Sequence, residues 1–116
     1  YVDKNGCYQG GAIFPGLGIA SKALNDYTAK IPLIHVEQNE NLYGKTTTEA
    51  VQIGLYQGFK AMLQGLIASY LVMDPDISII GTGKGLELYK EELNLNEYNE
   101  HLILEGLQLC YQAFYH

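Results

Sequence analysis

Apolar positions along this chain alternate, stall, and then recur in helical steps. The run from Tyr8 to Phe14 alternates as a strand does, but Gly10 and Gly11 interrupt it and Pro15-Gly16 closes it. A glycine inside a strand gives its neighbours nothing to pack on. The pair therefore marks a bulge or a close approach by other atoms, or else an edge strand leaving a turn. Upstream, Val2-Asp3-Lys4-Asn5-Gly6 reads as the end of one strand and a hairpin turn, with Asn5-Gly6 supplying positive φ angles. Leu17, Ala20, Leu24 and Tyr27 stand at helical spacing and predict a helix over 17–30, closed by Pro32. Residues 33–37 are predicted to be extended, with His35 as an ordinary strand residue, and 38–41 to form a polar surface loop.

The segment from Thr47 to Met73 dominates the pattern. Thr46 and Glu49 have capping-box spacing, in which the threonine hydroxyl accepts from the Glu49 amide and the carboxylate reaches back. Beyond it, Gly54, Gly58, Ala61, Gly65 and Ala68 recur in steps of three and four and form one stripe of small side chains. Each mid-helix glycine costs up to about 1 kcal/mol, so the stripe is expected to carry a homodimer or a tight contact within the chain. Val51, Leu55, Met62 and Leu66, on the neighbouring face, are expected to be core. Asp74-Pro75-Asp76 ends the helix. A short buried strand over 77–80, a glycine loop over 81–85 and a helix over 86–93 follow. A polar connection over 94–100 then leads to an amphipathic helix with Ile103, Leu107, Cys110, Tyr111 and Phe114 on one side. Strands alternating with helices predict α/β layering.

Composition narrows the functional classes. A chain of 116 residues is one ordinary domain, and its net charge is −6. All seven basic residues are lysines, which argues against nucleic-acid binding, where arginine forks onto phosphates and bases. An acidic membrane surface would repel the chain, and the longest apolar run, Ala61 to Met73, is too short to span a bilayer. Two cysteines make no disulfide framework, so a reducing, cytoplasmic setting is expected. Because the first residues already form a hairpin, the sheet is expected to continue upstream of Tyr1.

Candidate chemistry is sparse. Gly81-Thr82-Gly83-Lys84-Gly85 follows a strand and precedes a helix, as nucleotide-facing loops do and as simple strand-to-helix turns also do. It is not a Walker loop, since Gly85 follows Lys84, and its glycine spacing does not fit a dinucleotide fingerprint. His35, His101 and His116 lack ligand spacing, and neither Cys7 nor Cys110 has a local histidine partner. Asp74 with Asp76 and Glu91 with Glu92 read as a helix end and a solvated face. No metal site and no general base emerge. If Thr46 caps the long helix, the Thr47 hydroxyl is left free at the helix's electropositive end, where polar or anionic ligands are favoured.

Several collinear segments resemble type III pantothenate kinases, the family also named after the Bvg accessory factor. Gly10-Gly11-Ala12-Ile13-Phe14-Pro15-Gly16 matches the GGxIxPG signature, and Thr28-Ala29-Lys30-Ile31-Pro32 is similar to TAxLP. Gly44-Lys45-Thr46-Thr47-Thr48-Glu49-Ala50 resembles GxNT-E-A, with Thr46 in place of asparagine. Ile79-Ile80-Gly81-Thr82-Gly83 resembles the strand before Thr-Gly-Gly, with Lys84 in place of the second glycine. Leu102-Ile103-Leu104-Glu105-Gly106-Leu107 matches LxLxGL.

The resemblance implies an RNase H-like domain of the actin, hexokinase and acetate kinase class, with residues 1–116 the C-terminal domain of a two-domain kinase. It further implies ATP-dependent phosphorylation of pantothenate, the first step of coenzyme A biosynthesis, by a homodimer using Mg2+ with ATP and a monovalent cation, K+ or NH4+. Thr47 aligns with the threonine that touches pantothenate across the dimer interface. Gly10 and Gly11 would line the floor of the cleft, and Gly81, Thr82 and Gly83 the adenosine side. The phosphate motifs and the general-base aspartate fall upstream of Tyr1, so the chain by itself is expected to be inactive. A non-catalytic regulator sharing the fold, or another kinase or phosphatase of the actin-like class, is the alternative.

Overall fold

The N-terminal hairpin forms around Asp3. Its carboxylate accepts from the Asn5 and Cys7 amides and from the Gln9 side chain, while the Gly6 amide donates to the Asp3 carbonyl at 2.9 Å. Gly6 alone has positive φ, at 77°, so the turn is a type I turn followed by a glycine bulge rather than the expected Asn-Gly turn with both φ angles positive. Val2 pairs with Tyr8, but the predicted strand stops there. The Gln9 amide still donates to the Tyr1 carbonyl, and the Tyr1 amino group donates to the Gly10 carbonyl. Gly10, at φ 129°, then redirects the chain, and residues 11–16 join no strand among the described residues; Ile13 and Phe14 lie exposed.

This architecture is that of a computed structural model describing residues 1–115; His116, one of the three histidines considered above, lies outside them. Helix α1 spans Leu17–Tyr27 and ends before the expected Lys30, because Thr28 turns to extended backbone and its hydroxyl bonds back to the Leu24 carbonyl. Ser21, buried on α1, takes a hydrogen bond from the Ile34 amide and donates to the Ile34 carbonyl at 2.6 Å. Asn25 holds the Ile31 carbonyl in the same way. Residues 33–37, expected to be extended, join no sheet among the described residues. Side chains carry their backbone bonds instead, with Gln52 and Gln57 of the next helix donating to the Glu37 and Asn39 carbonyls.

Helix α2, Thr47–Met73, is the spine and has the boundaries and capping box that the pattern predicts. Its buried face differs from the expected one. Ile53 and Tyr56 are buried, and Phe59, Leu63 and Ile67 continue the same side, whereas Val51, Leu55 and Met62 are only half-buried and Leu66 is exposed. The small-residue stripe meets nothing: a Cβ added at Gly54, Gly58 or Gly65 would find no atom within 4 Å. The expected tight contact within the chain is therefore absent among the described residues. Large aromatic rings decide the face, because they bury the most apolar area per residue.

The remaining chain packs a short βαβ unit against that face. Strand β1 (Ile80–Gly81) pairs in parallel with β2 (Glu97–Tyr98), which lies inside the segment expected to be a polar connection. Between them the predicted eight-residue helix shrinks to α3, Lys84–Glu87, and a series of turns. Those turns still bury Tyr89 and Leu93. Tyr89 stacks on Tyr56 at 5.0 Å between centroids, and its hydroxyl donates to the Tyr56 carbonyl. Helix α4, Leu102–Tyr115, forms where expected, yet its apolar side lies open. The α/β expectation holds in coarse form, with helices predominating.

Beside the tyrosine stack sits a polar lock. Glu92 accepts from the Tyr56 hydroxyl through one oxygen and from Lys60 through the other, at 2.5 Å. These two hydrogen bonds hold the Glu92 carboxyl below its ordinary value of 4.5, and the Glu92 partner raises Lys60 above 10.5. Burial and the Glu92 charge push Tyr89 up to about 12. A depressed carboxyl contributes stability above its unfolded pKa and loses it as pH falls through the folded one. Thermal melts from pH 6 downward should therefore lose stability from about pH 4.5 downward, and Glu92→Gln should flatten that part of the profile. A Glu92→Gln profile as steep as the parent's would place the acid sensitivity elsewhere.

Candidate functional site

A cleft of about 670 Å³ opens between the start of α1, the extended segment and α3. Leu17 and Gly18 form one wall, Ile34, His35, Val36 and Gln38 a second, and Lys84, Gly85, Glu87, Leu88, Glu91 and Glu92 a third. Ser21 fixes the second wall to the first, and the Lys60–Glu92 pair fixes the third to α2. The floor is aliphatic and the rim charged, a combination suited to a flat organic ligand with polar edges. Glu92 is occupied by Lys60 and Tyr56, and Glu87 stands 3.9 Å from Lys90, whereas no ion pair or hydrogen bond engages the side chains of Lys84 or Glu91 among the described residues.

The predicted site residues fall in three places. Gly81 is buried: a Cβ there would come within 2.5 Å of Leu86 and 2.9 Å of Leu95, so its small size serves packing under the loop. Thr82 is half-buried. Gly83 has φ 93° and caps α3, and its carbonyl is held by the Tyr98 hydroxyl at 3.1 Å. The loop thus delivers Lys84 and Gly85, rather than its first three residues, to the cleft. Gly10, half-buried, and Gly11, exposed, are on the N-terminal segment that leads into α1, outside the cleft lining.

Thr47 begins α2, away from the cleft. Thr46 accepts from the Glu49 amide at 3.2 Å, and the Glu49 carboxylate accepts from the Thr46 and Lys45 amides. The Thr47 side chain is exposed and enters no hydrogen bond among the described residues, as the capping argument anticipates. Just before it, the Gly44 backbone lies against the helix's first turn, where a Cβ would sit 2.5 Å from the Ala50 nitrogen. No three His, Cys, Asp or Glu side chains come together to hold a metal among the described residues.

The model of the family described as type III pantothenate kinase matches residues 1–69. The chain belongs to that family. It is similar to the type III pantothenate kinase of Brevibacillus brevis, with 33% identity over 116 residues, 97% of this chain and 45% of the relative. The family's members from Listeria monocytogenes serovar 1/2a and Flavobacterium johnsoniae are 32% and 34% identical, again over 97% of this chain but 44% and 46% of theirs. The chain thus spans a little under half the length of these relatives.

Three features of the site lay beyond the sequence pattern. Ser21 sits on a helix face in a position any small residue could occupy, and the partners of Lys60 and Glu91's side of the rim are set by packing. Tyr56 and Lys60 do stand four apart on one helix face, a signal that they act together. Gly44 and Gly54 separate two glycine roles in this family member. Gly44→Ala should cost about 1–3 kcal/mol by forcing the loop off the helix. Gly54→Ala, in open space within α2, should add roughly 0.5–1 kcal/mol. Urea unfolding of both variants checks the contrast, and equal effects would overturn it.

Proposed function

We propose that this chain is the C-terminal portion of an ATP-dependent kinase that phosphorylates pantothenate in the first step of coenzyme A biosynthesis. The observation that carries the reading is the cleft itself. Two of its three walls begin at residues that directly follow separated glycine motifs: Leu17 after Gly10 to Gly16, and Lys84 after Gly81 to Gly83. Membership of the family supports assigning this cleft to the nucleoside of ATP.

In this reading the chain binds and orients, and the general-base aspartate belongs to segments that precede Tyr1. Thr47 presents its free hydroxyl at the positive end of α2, where it would bond pantothenate across a homodimer interface. The exposed stripe from Gly54 to Ala68 is the face on which a second α2 could approach closely. The fold would be an RNase H-like domain of the actin class, the second of two. Exposed apolar surface supports that larger body. The radius of gyration is 17.4 Å, against about 13 Å for a compact chain of this length. On α4, Ile103, Leu107, Tyr111 and Phe114 are all more than half exposed.

The family resemblance also brings Mg2+ with ATP and K+ or NH4+. Among the described residues no three His, Cys, Asp or Glu side chains come together, and no step is assigned to either ion. Free Cys7 and Cys110 fit a reducing, cytoplasmic location, and no helix among the described residues is long and apolar enough to cross a membrane.

The test is a pantothenate phosphorylation assay on the kinase polypeptide that carries this chain, beside residues 1–116 alone. The longer protein should turn over and the shorter should not. Thr47→Ala should weaken pantothenate binding by about 0.5–1.5 kcal/mol and leave ATP binding unchanged. Comparable turnover by the short chain, or unchanged pantothenate affinity, would overturn the assignment of roles.

A further inference from the structure

Lys84 and Glu91 are the cleft's two charges left without an ion pair among the described residues, and they bear opposite sign. The neighbouring carboxylates are otherwise engaged, Glu92 by Lys60 and Glu87 by Lys90. Lys84 is carried by a fixed loop: Gly83 is held in a left-handed conformation and its carbonyl is tied to Tyr98. The same cleft is lined by the aliphatic side chains of Leu17, Val36 and Leu88.

An ammonium has only hydrogen-bond donors and a carboxylate only acceptors. A planar ring lying on that aliphatic surface is therefore best matched when one edge carries acceptors and the adjoining edge carries donors. Guanine does: O6 and N7 accept, and N1–H with the 2-amino group donate. Adenine places a donating amino group where guanine places O6, which sets donor against donor at the lysine. With a neutral residue or glycine in place of Lys84, the cleft would lose that distinction.

We infer that Lys84 is a base-reading residue, and that with Glu91 it makes the cleft accept guanine nucleotides as phosphoryl donors alongside ATP. The inference rests on the kinase reading above for the words "phosphoryl donor" and on the cleft alone for the base preference. With Lys84 and Glu91 of opposite sign, the cleft carries no net excess of positive charge to hold phosphates; Lys84 serves the base.

Two measurements separate the claims. In the kinase polypeptide that carries this chain, kcat/KM for pantothenate phosphorylation is compared with GTP and with ATP, for the parent, Lys84→Gly and Lys84→Met. Binding of GDP and of ADP is titrated calorimetrically on the same three proteins. The parent should use GTP, and both variants should lose about tenfold more in kcat/KM and in affinity for the guanine nucleotide than for the adenine nucleotide, mostly through KM. Lys84→Met keeps the side chain's bulk, so agreement between the variants excludes a loop defect. An equal loss for both nucleotides would place Lys84 on the shared ribose or phosphates and overturn the inference. So would ATP turnover with no GTP turnover in the parent. If neither nucleotide supports phosphorylation but GDP binding still depends on Lys84, the kinase reading fails while the base preference stands.

Discussion

Tyr56 and Tyr89 stack on one another in the core, and the α3 side of the candidate site is positioned through that contact. The Tyr89 hydroxyl bonds the Tyr56 carbonyl, and Glu92 three residues on takes up the Tyr56 hydroxyl and Lys60. Few side chains are fully buried, and among the described residues these two tyrosines are the largest of them. A core so small leaves little redundancy. The polar lock around Glu92 gives it direction as well as area, because hydrogen bonds fix angles where dispersion does not.

From that centre the cleft walls follow. Glu92 ends the stretch from α3 that carries Lys84, Glu87, Leu88 and Glu91, so anchoring Glu92 on α2 sets the height of that rim. The opposite wall is placed by Ser21 and Gln52, which give the extended segment the backbone partners that a sheet would otherwise supply. Buried amides must find partners somewhere, and side-chain hydroxyl and amide groups serve here in place of a neighbouring strand. The result is a cavity with an aliphatic floor held open by polar clips at its edges.

The exposed surfaces have the opposite character. Helix α4 is apolar over about two thirds of its circumference when its residues are set at 3.6 per turn, with Glu105, Gln108 and Gln112 on the rest. A helix of that kind belongs inside a core, not on a surface. The small stripe of α2 and the side chains of Ile13 and Phe14 are likewise uncovered. These surfaces account for the extended shape and agree with a chain that matches less than half of its relatives' length.

Local rules written in neighbouring residues were enough for the helix boundaries of α2, its capping box, the free Thr47 hydroxyl and the hairpin at Gly6, since each depends on atoms a few residues apart. The collinear glycine motifs named the family for the same reason: spacing along the chain is itself the signal. Tertiary structure alone decided which face of α2 is buried. Two faces carried enough apolar residues, and the ring of Tyr89, a long way down the chain, selected the one with Tyr56. It also sorted the glycines: Gly44 and Gly81 are close approaches to other backbone or side chains, Gly83 is a conformational requirement, and Gly54 and Gly58 touch nothing. Pattern cannot make that division, because the missing Cβ is the same in every case and only the surrounding atoms say why it is missing.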